Sequence, residues 1–166
     1  MRQHAMLTAA TVTASLMLAA MTGSANAGAL EYLQDAYQNV FGPTQYEKAE
    51  AAYKKGDYAT AMQLWRPLAD HGDAMAQFNV GWLYEAGWGV PRNYAEAAKW
   101  YRLSADQKNA VAQSNLARMY LEGRGVPKDE ARALRLYCRA ADAGEPEAQA
   151  YLTSRPDSSD LYELCQ

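Results

Sequence analysis

The 166-residue chain holds only two cysteines, two histidines and two phenylalanines, and it has no positive surplus: 16 Lys and Arg face 19 Asp and Glu, a net charge of −3. Each shortage excludes something. The cysteines and histidines have no metal-ligand spacing, and no His-Glu-x-x-His occurs. Neither Gly-x-Ser-x-Gly nor Ser-x-x-Lys is present, so serine acyl-enzyme chemistry has no visible nucleophile. The acidic balance speaks against nucleic acid, whose affinity rests on neutralising phosphates. No cofactor motif is found either: Gly87 and Gly89 follow no strand and precede no Lys-Ser/Thr, so they do not form a phosphate loop. Acidic residues are plentiful but fall on solvent faces or helix caps, and no catalytic set is expected.

Long apolar runs are missing too. Residues 5–21 carry no charge but are diluted with Thr, Ser and Ala, whereas a spanning helix needs about 20 mostly apolar residues. With Arg2 in front and Ala25-Asn26-Ala27 behind, residues 1–27 have the layout of a secretory signal cleaved after Ala27; a membrane anchor is the alternative. No cysteine follows the run, which speaks against a lipid anchor. Cleavage would remove Arg2 and leave 139 residues, with 15 Lys and Arg against 19 Asp and Glu and a net charge of −4. The expectation is a single small domain over residues 28–166, periplasmic or secreted, and not inserted in a membrane. In such a compartment Cys138 and Cys165 are expected to pair. That bond would pin the chain's end to its body and add on the order of 3 kcal/mol. Two separately buried thiols are the alternative.

What the sequence has in quantity is repetition. Residues 74–109 and 110–145 are one 36-residue unit written twice. Ala76, Gln77, Asn79 and Tyr84 return as Ala112, Gln113, Asn115 and Tyr120. Gly87, Gly89, Val90 and Pro91 return as Gly123, Gly125, Val126 and Pro127, and Ala97, Tyr101 and Ala105 as Ala133, Tyr137 and Ala141. Small and aromatic residues at three- and four-residue spacing make closely packing helix faces, and Gly-x-Gly-Val-Pro breaks the chain between them. One unit is therefore a hairpin of helix A and helix B, and the whole is predicted to be all-α, an α-solenoid of stacked antiparallel helix pairs.

Around the two full units the pattern continues in weaker form. Residues 28–41 carry Leu30, Leu33, Tyr37 and Val40 at helical spacing and are predicted to be an N-terminal capping helix. Residues 44–73 make a unit with a turn five residues shorter, opened by a capping box of Thr44 and Glu47. Pro67 falls inside its second helix and should bend it, and His71 suits a helix end. Asp73 is expected to cap residues 74–86, and Asn93 with Glu96 to cap residues 94–107. Gly81 and Ala117 are small where a neighbouring helix must approach. Residues 146–166 restart the pattern and end in a C-terminal cap. Arg132, Arg135 and Arg139 lie at i, i+3, i+7 among Asp129, Glu130 and Asp142, as on a solvated outer face.

The run from Ala76 through Trp82, Tyr84, Gly87 and Gly89 to Val90, followed by Trp100, Tyr101 and Ala105, resembles the Sel1-like repeat, a relative of the tetratricopeptide repeat. The resemblance covers roughly residues 46–152, with the first unit closer to a tetratricopeptide repeat. It implies a binding protein rather than an enzyme, with helix A lining the partner-binding side. The positions that would face it are Met75, Phe78, Trp82 and Glu85 in one unit and Val111, Ser114, Arg118 and Glu122 in the next. Met75, Phe78 and Trp82 could anchor a peptide or a protein loop, although aromatic stripes at this spacing also build cores. Trp88 stands where the other copy has Arg124 and is expected to be exposed. The leading reading is an exported adaptor whose partner is a protein or peptide. An inhibitor or immunity protein against an envelope-targeting toxin is a second reading. A cell-wall-acting enzyme, as suggested for cysteine-rich relatives whose cysteines this chain lacks, is a third.

Overall fold

A computed structural model describes residues 42–155 and Cys165. The predicted signal (1–27), the N-terminal capping helix (28–41) and most of the C-terminal cap lie outside the described residues. Within them every regular element is a helix: α1 Gln45–Lys54, α2 Tyr58–Asp70, α3 Ala74–Ala86, α4 Tyr94–Asp106, α5 Ala110–Glu122, α6 Glu130–Asp142 and α7 Pro146–Thr153. Each packs on the next in chain order, as successive hairpins of an α-solenoid do.

The helices start where a carboxylate or amide can take an otherwise orphaned backbone N–H. Asp57 accepts from Thr60 at 3.1 Å, Asp73 from Ala76 at 2.7 Å, Asn109 from Ala112 at 3.0 Å and Asp129 from Arg132 at 2.9 Å. Asn93 accepts from both Ala95 and Glu96 at 3.1 Å. Its own N–H does not wait for the Glu96 side chain, as the expected capping box requires. It donates to the Tyr84 carbonyl at 2.9 Å, and Asp129 repeats this with Tyr120 at 3.0 Å. The cap residue thus also closes the loop onto the preceding helix. Glu145 does the capping for α7, accepting from Ala148 at 2.7 Å and from the Ser114 hydroxyl at 2.6 Å.

Stacking follows from two alanine series at the repeat spacing. Ala76, Ala112 and Ala148 are fully buried, as are Ala61, Ala97 and Ala133, so backbones meet with only a methyl group between them. A glutamine locks each junction: Gln77, Gln113 and Gln149 donate to the carbonyls of Ala69, Ala105 and Ala141, each at 3.1 Å. Gly81 has the role predicted for it, because an added Cβ would lie 2.8 Å from the Tyr101 ring. The second glycine of each loop has a further one. A Cβ on Gly89 would fall 2.5 Å from the Tyr58 carbonyl carbon, and one on Gly125 would strike the Tyr94 carbonyl, so each loop lies directly on the first turn of the previous unit's helix B.

Pro67 is inside α2 as expected, and the Nδ1 of His71 lies 2.7 Å from the Pro67 carbonyl at the helix end. Cys138 and Cys165 are bonded, with Cα atoms 5.4 Å apart, which ties the penultimate residue to α6 across 27 positions of sequence.

Candidate functional site

Helices α1, α3, α5 and α7 are the first helices of four successive units, and together they line a groove of about 720 Å³. Tyr46 and Tyr53 come from α1, Met75, Phe78, Asn79 and Trp82 from α3, Val111, Asn115 and Arg118 from α5, and Glu147 from α7. Buried Trp65 forms part of the floor, 5.6 Å from the Tyr53 ring and 6.2 Å from that of Tyr46. The buried Trp65 indole N–H has no partner among the described residues, but the polar groups of the other wall aromatics are tied to one another or to α3. The Trp82 indole donates to the Tyr53 hydroxyl at 3.1 Å, and Asn79 donates to that of Tyr46 at 3.0 Å. Such a wall offers apolar area that is already held in place, so little side-chain freedom would be lost on binding. Met75 and Val111 stand at its rim, 50% and 45% exposed.

Of the residues singled out by sequence, Met75, Phe78, Trp82, Val111 and Arg118 share this groove. Phe78 and Trp82 are half-buried, between the core and exposed alternatives: Phe78 leans on Tyr101 with ring centroids 5.8 Å apart. The other four lie elsewhere. Glu85 is buried, accepting the Tyr101 hydroxyl at 2.7 Å and pairing with Arg118 at 3.0 Å. Its carboxylate belongs to the stack. Ser114 is fully buried against Glu145. Glu122 is exposed and pairs with Arg124 at 2.7 Å; it falls one position out of register with Glu85, whose counterpart in the repeat is Leu121. Trp88 is 38% exposed, as expected of it, but its ring stacks on Tyr58 at 4.6 Å and meets Trp82 edge-on at 6.1 Å. It extends the aromatic wall from behind and does not line the groove. Tyr46 and Tyr53, which do, were not singled out because they lie in the weaker first unit.

Charge flanks the groove on both sides: Glu50 and Lys54 of α1 pair at 3.3 Å, and Arg118 and Glu147 stand on α5 and α7. Burial alone would depress the Arg118 guanidinium, but the carboxylates of Glu85, Glu147 and Glu122 hold its pKa above the usual value. Burial and the Glu85 carboxylate push the Tyr101 phenol well up, so this hydroxyl stays protonated and keeps its hydrogen bond. Burial, with Glu147 next, lifts Tyr137 to about 12. These groups keep one fixed charge state through the neutral range, which suits a scaffold.

The model of the Sel1 repeat matches residues 74–109 and 110–145, the two units read above. The structure of a Sel1 repeat protein from Oxalobacter formigenes is similar, at 34% identity and a TM-score of 0.61 over 67% of this chain and 86% of that one. The chain belongs to the Sel1 repeat family. A second similar structure is c5321, a protective antigen of uropathogenic Escherichia coli strains with an SLR fold. It is 31% identical with a TM-score of 0.63 over 76% of this chain, and the match spans 29% of its own length. No curated protein matches the chain. Sel1 repeat proteins are in general protein-interaction scaffolds and typically not enzymes.

Proposed function

We propose that this Sel1 repeat protein is an exported adaptor that holds a segment of a partner protein in the groove of its first helices. The observation that carries the reading is the composition of that groove: an aromatic wall in which Tyr46, Tyr53 and Trp82 are held by hydrogen bonds, with Met75 and Val111 half-exposed at the rim. A partner segment would set apolar side chains against Phe78, Trp82 and Tyr53, while Arg118, Asn115 and Glu147 meet its polar backbone or charged flanks. No catalytic role is assigned to any residue. The layout of residues 1–27 supports export, and so does the Cys138–Cys165 bond, since disulfides persist in oxidising compartments.

The test uses mature chain as bait in envelope extract, beside a Met75→Glu/Val111→Glu variant. Both changes fall on exposed rim positions and leave the buried contacts alone. A partner retained by the wild type and lost by the variant, at equal melting temperature, is the expected result. Equal retention by both would place binding elsewhere.

A further inference from the structure

Arg102 of α4 and Arg132 of α6 converge on one neutral atom. Their guanidiniums donate to the Tyr120 hydroxyl at 3.1 and 3.5 Å, which places two like charges close together. Arg135 and Arg139 line the same cleft, of about 280 Å³, where the acidic lining residue is Asp106. Asp129 offsets Arg132 alone, at 3.1 Å. Among the described residues neither Arg135 nor Arg139 makes an ion pair, so the solvated face expected for these arginines holds a partly unbalanced cluster. The cleft shares no lining residue with the groove.

The preceding copy shows that the stack does not need this arrangement. Thirty-six positions earlier, Arg102, Arg132, Arg135 and Arg139 correspond to Arg66, Glu96, Lys99 and Leu103. There Arg66 turns along its own helix to Asp70 at 3.1 Å. Arg102 has the equivalent Asp106 within reach of sequence, yet it turns into the cleft. The Tyr120 hydroxyl accepts from both arginines, and its own proton goes to no protein acceptor among the described residues. The cleft therefore presents guanidinium N–H groups and one phenolic O–H, a donor set for an oxyanion carrying more than one charge.

We propose that this cleft binds a phosphate group, free or carried on a larger molecule. The guanidiniums of Arg102 and Arg132 would take two of its oxygens, the Tyr120 hydroxyl would donate to one, and Arg135 and Arg139 would balance the remaining charge. The repulsion now borne between neighbouring arginines becomes attraction to the shared anion.

The experiment titrates inorganic phosphate into the mature protein at low ionic strength, and separately sediments the protein with phosphatidylcholine vesicles with and without phosphatidic acid. The control is Arg132→Glu/Arg139→Leu, which installs the residues of the preceding copy and so tests the charge without disturbing the fold. Saturable binding of inorganic phosphate that becomes roughly tenfold weaker or more in the variant, at unchanged melting, is expected for a soluble ligand. Arginine-dependent sedimentation with phosphatidic acid alone would assign the site to a headgroup. Binding of neither probe, or binding that the variant retains, would overturn the proposal.

Discussion

The Arg118 guanidinium of one repeat lies 3.0 Å from the Glu85 carboxylate of the repeat before it, and the same carboxylate accepts the Tyr101 hydroxyl. A pair that bridges two units couples their stability. Arg118→Ala leaves Glu85 buried without its cation, and should cost about 2 kcal/mol, less than for a fully buried pair because Arg118 keeps some solvent. In a Glu85→Gln background the cost should largely vanish. Urea unfolding of the four proteins measures this coupling, and additive effects would show that the two groups act independently.

Lys108 has φ 66°, at a position where the flanking copies have Gly72 and Gly144. Left-handed backbone costs a residue with a Cβ about 1 kcal/mol. Lys108→Gly should therefore raise the melting temperature by a few degrees, and a fall would show that the Lys108 side chain contributes more than its backbone costs.

Gly72 and Gly89 both have positive φ, yet a Cβ on Gly72 meets nothing within 4 Å while one on Gly89 meets the backbone of Tyr58 and Ala59. Gly72→Ala should cost about 1 kcal/mol, and Gly89→Ala clearly more, since backbone has to shift as well. Similar losses in calorimetry would mean the loop can lift off its neighbour without penalty.

Burial raises the Glu145 carboxyl, but the Ser114 hydroxyl and the N–H groups of Ala148 and Glu147 outweigh it and hold the folded value below the ordinary 4.5. A carboxylate depressed in the folded state stabilises above its unfolded pKa and loses that contribution as pH falls through the folded one. Stability should thus decline below about pH 4.5. Glu145→Gln should flatten this part of the pH profile; an unaltered profile would assign the acid sensitivity to other groups.

Cys138→Ser/Cys165→Ser frees the terminal segment from α6, and should cost on the order of 3 kcal/mol by the loop-closure estimate. Reductant should reproduce the loss in the wild type and change nothing in the double variant. A wild-type melt indifferent to reductant would show that the bond adds no stability.

The stack was legible in the sequence because its causes are local and recur: small residues at fixed spacing, a glycine-proline break, and an Asp or Asn before each helix from α2 to α6. Asn109 and Asp129 stand 36 residues after Asp73 and Asn93, so the signal that marked two caps also marks the others. Glu145 escaped because glutamate is not among the favoured N-cap residues. The groove was legible as a list of helix A positions but not as a surface. Whether Glu85 faces solvent depends on Tyr101 and on Arg118 of the next unit, which only the packed structure brings to it. The arginine cleft was half-visible for the same reason: the i, i+3, i+7 row lay in one helix, and Arg102 comes from another.

The loop that presses on the preceding helix gives the array a direction in which it can lengthen. Gly89 lies on Tyr58 and Gly125 on Tyr94, whereas the short turn around Gly56 ahead of α2 touches nothing at that position. A module copied in after the last full unit brings its own loop to lie on the helix before it. One placed ahead of α1 would meet the short Gly56 turn instead of such a loop, so these units can be extended downstream with the same contact but not upstream.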